Sequence, residues 1–317
     1  MVDQLSSLRT VSTIVADTGE VMEVKHYQPQ DVTTNISLIL SAIKMPEYSD
    51  LMHASIAWAH TQSQNKERQV ECAVEYLTVH LGAEIIQYIP GCISIAIDAR
   101  FAYDVHNSIV QARRLAAIFN NHGISNKRIL IKLAATWQGI CAATHLEREG
   151  IRCNLTLLFS FAQARACAEA GVYLISPFIG RIFDWYQLRI GIKKYTAITD
   201  PGVIFGRKIY TYYKQHGYRT VIMCASFRNI DEILALAGCD CLTISPKFLK
   251  ALSEQKGDIT RKLFYHGVPQ ERPMQMTECE FLWQHHQDPM AVEKLAEGIR
   301  HFDIEQRNLE KMLLHLM

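Results

Sequence analysis

The 317-residue chain has no apolar stretch near the roughly 20 residues that a membrane span requires. Its first residues, Met1-Val2-Asp3-Gln4-Leu5-Ser6-Ser7-Leu8-Arg9, lack the basic-then-apolar order of a signal peptide, so a cytoplasmic protein is expected. Neither charge is in excess. The formal net charge of +1 gives no electrostatic case for binding nucleic acid or an acidic membrane surface. No linker rich in Gly, Pro or Ser divides the chain, so residues 1–317 read as one domain. Zinc spacing is missing too, because Cys239-Asp240-Cys241 has no second cysteine pair. The nine cysteines are odd in number and scattered, mostly in apolar runs, and read as reduced thiols. His285-His286 does not make a metal pair, since adjacent side chains diverge on a helix; it reads as a solvated helix face.

Hydrophobic residues make up 49% of the chain, enough for a sizeable core. Short apolar runs at 12–16, 32–34, 93–97, 129–133, 154–158, 172–175, 220–224 and 241–244 read as strands. Segments of helical period lie between most of them, at 67–89, 108–122, 136–149, 160–170, 202–216 and 230–237. About eight strands joined mostly by helices predict an α/β fold, a closed parallel (β/α)8 barrel. The connection before the third strand is long enough for more than one helix. Residues 289–316 are strongly helical and are expected to pack on the barrel's outside.

One charged residue stands out. Lys132 lies inside the apolar run Ile129-Leu130-Ile131-Lys132-Leu133-Ala134-Ala135. Such a run is typical of a parallel strand buried on both faces. Burial lowers a lysine's pKa, and the neutral amine is the nucleophile that forms Schiff bases with carbonyls. The plainer alternative is a lysine at the solvated strand end, snorkelling outward.

Barrel sites form at the carboxyl ends of the strands. There the chain places Asp17, Asn35, Lys132, Asn154, Thr156, Ser176, Arg181, Ser226 and Arg228. Asn154 and Thr156, two apart on a strand, face one side. Each has a plain reading: a turn or cap for Asp17, hydrogen bonding for Asn154 and Thr156, surface charge for Arg181 and Arg228. Gathered on one rim, they describe a pocket for an anionic, hydroxyl-rich molecule with a carbonyl. Arginine forks fit phosphate oxygens, which makes a sugar phosphate the natural candidate.

Over essentially its whole length the chain resembles the class I transaldolases of the long, bacterial type. The stretches that carry this are Val15-Ala16-Asp17-Thr18-Gly19, Thr33-Thr34-Asn35, Ile129-Leu130-Ile131-Lys132-Leu133-Ala134 leading into Thr136-Trp137-Gln138-Gly139, and Cys153-Asn154-Leu155-Thr156-Leu157-Leu158-Phe159-Ser160. Ile175-Ser176-Pro177-Phe178-Ile179-Gly180-Arg181, Ala225-Ser226-Phe227-Arg228-Asn229 and Phe281-Leu282-Trp283-Gln284-His285 complete the set. The resemblance implies a homodimeric transferase of the pentose phosphate pathway. In such an enzyme Lys132 would form a Schiff base with fructose 6-phosphate or sedoheptulose 7-phosphate. Asp17 would take the proton from the donor's C4 hydroxyl as the carbon–carbon bond breaks. The dihydroxyacetone unit would then pass to an aldose phosphate such as erythrose 4-phosphate. Asn35, Asn154, Thr156, Ser176 and Phe178 would line the substrate, and Arg181, Ser226 and Arg228 would hold its phosphate. The resemblance implies no metal or organic cofactor.

The departures from the family's pattern are specific. The third-strand motif Pro-Gly-Arg-Ile-Ser-Thr-Glu-Val-Asp-Ala-Arg is here Pro90-Gly91-Cys92-Ile93-Ser94-Ile95-Ala96-Ile97-Asp98-Ala99-Arg100. A glutamate that positions water and shuttles protons has become Ala96, and an arginine has become Cys92. Ile36 replaces a proline beside Asn35, and Cys224 a glycine. Asp98 should share a face with Ala96, but the family has an aspartate there as well, so a structural role is expected. Slowed transaldolase is therefore the first expectation. A silent barrel that still binds sugar phosphates is the second. A related aldolase that releases dihydroxyacetone is the third; those relatives use a tyrosine to hold water, and this chain has Phe178 and Ala96.

Overall fold

A computed structural model describes residues 2–191 and 195–317. Eight parallel strands close into a barrel in sequence order: β1 (Thr13–Asp17), β2 (Asp31–Thr33), β3 (Ile93–Ala96), β4 (Ile129–Ala134), β5 (Cys153–Leu158), β6 (Leu174–Pro177), β7 (Val221–Cys224) and β8 (Cys241–Ile244). β8 pairs back onto β1. The (β/α)8 expectation holds, and most strand bounds agree within a residue or two. The sixth is displaced by two residues at both ends. Val172 donates its amide to Cys167 O and so belongs to the end of the preceding helix, Phe161–Glu169, not to the strand.

The two-residue period of each strand sorts its side chains. Outward residues such as Ile14, Ile129, Ile131, Leu133, Ile175 and Leu242 join the main apolar cluster beneath the helices. Inward residues Val15, Leu130, Leu174, Met223 and Cys241 form a separate apolar layer across the barrel. Two residues further along β1, β4, β6 and β8 the inward positions become Asp17, Lys132, Ser176 and Thr243. The barrel interior is thus apolar below and polar above, and Lys132 sits at the change.

Between β2 and β3 run the helices Ile36–Ala42, Ser49–Gln62 and Lys66–Ile85, as the long connection required. The last helix, Pro289–Leu316, starts with Asp288 accepting from Ala291 N–H and proline in its first turn. It packs on the barrel and brings Ile299, Phe302 and Gln306 to the carboxyl-end rim. Gly298 makes the approach possible, because a Cβ there would lie 2.5 Å from Leu157 Cδ2. Among the described residues no helix is long and apolar enough to cross a membrane.

Candidate active site

Lys132 is 6% exposed. Its ladder neighbours are Ala96 on β3 and Asn154 on β5. Nζ donates to Thr33 Oγ1 at 3.0 Å and to Thr34 O at 3.4 Å. Burial pushes its pKa down to about 8; Asp17 works against that shift and Arg181 adds to it. The snorkelling alternative is excluded, since both hydrogen bonds lie within the buried interior.

Asp17, at the end of β1, shares a cavity of about 50 Å³ with Lys132, Thr33, Asn35, Ser176, Phe178, Arg181, Ser226, Thr243 and Phe302. Burial raises the Asp17 pKa, opposed by the charges of Lys132 and then Arg181. No ion pair joins Asp17 to Lys132 within 4.0 Å among the described residues. The two groups therefore face a common space without neutralising each other by contact.

Asn35 caps the helix that follows it, its Oδ1 accepting from Leu38 N–H at 3.0 Å. Asn154 is fully buried and lies beneath the cavity floor. Its Nδ2 donates to Ser94 Oγ at 3.1 Å, and its Oδ1 accepts from Ser176 Oγ at 2.7 Å. Thr156 also points inward, but towards a second cavity, and its buried Oγ1 has no partner. The bend responsible is local. Leu157 has φ +55°, and the register of β5 against β6 shifts between Leu155 and Leu158.

One side of the rim carries two arginines in different states. Arg181 stacks its guanidinium over Phe178 at 5.0 Å and Phe302 at 5.9 Å. Among the described residues it makes no ion pair. Burial, then Arg228, press its pKa below the usual arginine value. Arg228 is held: Nη2 donates to Asp184 at 2.7 Å, and Nη1 donates to Ser226 O at 2.9 Å. Ser226 itself has φ +65°, and its carbonyl also accepts from Gly180 N–H at 3.1 Å. Of the residues named from sequence, eight line one or both cavities; Asn154 supports from below and Arg228 lies beside them, tied to Asp184.

The second cavity opens beside the short side chain of Ala96. It offers about 50 Å³ of water-sized space and reaches from Lys132, Ala96 and Thr156 out to the helices Lys66–Ile85 and Val105–Asn121. Asp98 lines it but is not a free acid–base group. Its Oδ1 and Oδ2 accept from Arg100 Nε at 3.0 and 2.9 Å, and Arg100 continues to Glu310. A structural role for Asp98 is what this pairing describes.

Sequence reasoning missed several neighbours of Lys132. Thr33 is its closest hydrogen-bond partner, and Ser94 orients Asn154. Thr243 brings a buried hydroxyl without a partner to the cavity that holds Asp17. Phe302 comes from the last helix, and no local signal marks it. One expectation needs correction. His286 is exposed, but His285 is buried, its Nδ1 2.9 Å from Ser160 Oγ, and burial lowers its pKa to about 4. The helix Glu278–His286 turns that side chain towards β5's following cap, so only half of the pair is a solvated face.

A closed parallel barrel with acid, amine and guanidinium gathered at the carboxyl ends of its strands defines a barrel enzyme of the (β/α)8 class. Residues 14–313 match the family described as Transaldolase/Fructose-6-phosphate aldolase. The chain is 59% identical over 313 residues, 99% of each chain, to a transaldolase of Edwardsiella ictaluri (strain 93-146). The chain belongs to this family, and its activity is that of a transaldolase, a transferase.

Proposed function

We propose that the transfer runs through a Schiff base on Lys132, from a ketose phosphate to an aldose phosphate. The observation that carries this is Lys132 itself: buried, with a pKa near 8, and opening onto the same space as Asp17 and Arg181. A neutral amine adds to the ketose carbonyl. The resulting iminium draws electrons from the adjacent carbon–carbon bond as it breaks. Asp17, kept proton-hungry by burial, takes the hydroxyl proton of the leaving aldehyde. Asn35 and Ser176 face the dihydroxyacetone hydroxyls, with Asn154 orienting Ser176. Arg181 receives the phosphate, with Ser226 and Arg228 at its edge. A single barrel domain, paired as a homodimer in the cytoplasm, completes the proposal; the family match over residues 14–313 and the exposed Leu282 and Trp283 are in keeping with it.

Ala96 supplies neither charge nor hydrogen bond, so Schiff-base formation should limit the rate. Ala96→Glu is expected to raise turnover at least about tenfold, within the ~10²–10⁴-fold range of a general acid–base group. The test is transfer from fructose 6-phosphate to erythrose 4-phosphate by both proteins. The open space beside Ala96 also favours a second reading, a barrel that binds sugar phosphates without turning them over. Silence of both proteins in the assay, with fructose 6-phosphate still bound, would select it.

A further inference from the structure

The cavity beside Ala96 carries a carboxylate that the reaction so far does not use. Glu75, on the helix Lys66–Ile85, is 3% exposed and lines the cavity that also contains Lys132, Ala96 and Thr156. Its Oε1 is held from two sides. Arg114 donates to it from Nη2 at 2.6 Å and from Nε at 3.2 Å, and Gln111 Nε2 donates at 3.2 Å. Among the described residues Oε2 takes no hydrogen bond. Among the described residues the only other carboxylate lining the cavity, Asp98, has both oxygens on Arg100. At the Lys132 end stands Thr156 Oγ1, 4% exposed as a residue and without a partner. A cavity with about 50 Å³ of water-sized space, and unpaired polar atoms at separate points on its wall, is one that ordered water can enter.

We propose that Glu75 is a positioning residue for the chemistry of Lys132, acting through water held between its Oε2 and Thr156 Oγ1. This rests on the Schiff-base reading given above. The Lys132 ammonium passes one proton through the water to Glu75. The freed amine adds to the carbonyl carbon; the C–O π pair moves onto oxygen, and a nitrogen proton follows it. The stored proton then returns from Glu75 to that hydroxyl. The hydroxyl leaves as water while the nitrogen lone pair closes the iminium double bond. Protons and electrons balance within these groups, and Glu75 ends as it began. Arg114 and Gln111 fix the carboxylate by one oxygen and leave the other for this relay.

The test is a double-mutant cycle. Glu75→Gln is made in the parent and in the Ala96→Glu background. The measurement is the rate at which borohydride traps an adduct on Lys132 with fructose 6-phosphate, together with the KM. In the parent, Glu75→Gln should slow trapping by about tenfold or more and leave the KM within about twofold. In the Ala96→Glu background a nearer carboxylate takes over, and the same change should alter the rate by less than about twofold. A Glu75 that merely tethers Arg114 would slow both backgrounds alike, and that result overturns the proposal. So does an unchanged rate in the parent. Should Glu75→Gln not fold, Ala96→Leu plugs the cavity beside Thr156 and leaves the Glu75–Arg114 pair untouched. It should show the same slowing, and unslowed trapping overturns the proposal. No adduct in the parent itself would instead remove the Schiff-base reading on which the relay depends.

Discussion

Lys132 is an amine whose basicity is set by burial and two charged neighbours. With a pKa near 8, about one molecule in ten carries the neutral amine at pH 7. The rate of imine formation should therefore climb as pH rises through about 8 and level off above it. Asp17 raises that pKa, so Asp17→Asn should move the inflection to lower pH while slowing carbon–carbon cleavage. A profile of trapping rate against pH for the two proteins checks both. Among the described residues Arg181 has no carboxylate partner, whereas Arg228 already has Asp184. Arg181→Ala should therefore raise the donor's KM more than Arg228→Ala does. A charged hydrogen bond of roughly 1.5–3 kcal/mol sets the expected loss at about tenfold to a hundredfold. Steady-state kinetics with fructose 6-phosphate would show it, and an unchanged KM would remove Arg181 from the phosphate site. Lys132 was legible because a charge in a buried run has few explanations. Thr33 and Thr243 were not, because a threonine in a strand is ordinary until its hydroxyl is seen facing an amine or an empty wall.

The strands could be read as short apolar runs joined mostly by helical segments, since a strand buried on both faces is apolar nearly throughout. Element ends were less legible where the cap comes from elsewhere in the chain. The helix Ile179–Ile190 follows β6 directly, with no side-chain cap at Phe178. Its first amides are satisfied from β7's extension instead: Ile179 N–H donates to Ala225 O at 3.0 Å and Gly180 N–H to Ser226 O. Pro177 and Gly180 look like breakers in the sequence, yet this tertiary contact starts a helix there. A Cβ at Gly180 would fall 2.1 Å from the Ser226 carbonyl oxygen, which is backbone and cannot swing aside. Gly180→Ala should thus destabilise the protein by ~1–3 kcal/mol and displace the Ser226–Arg228 edge of the site. Denaturant unfolding and the donor KM should both change. A variant of parental stability and KM would mean that the rim yields more easily than its geometry implies. The bulge at Leu157 was equally hidden, because nothing local in Leu155-Thr156-Leu157-Leu158 calls for a positive φ.

At the scale of the whole molecule, the barrel keeps an apolar floor and gathers its reactive groups above it, beneath the last helix. The chain carries amine, acid and guanidinium on one rim, with an open chamber beside Ala96. The central claim is that the amine still captures its substrate covalently. Incubation with fructose 6-phosphate and borohydride, followed by intact mass and peptide mapping, tests this most directly. The parent should gain one dihydroxyacetone-derived adduct on Lys132, and Lys132→Met should gain none. A folded parent that binds fructose 6-phosphate yet stays unmodified, or that is modified at another lysine, would contradict the account.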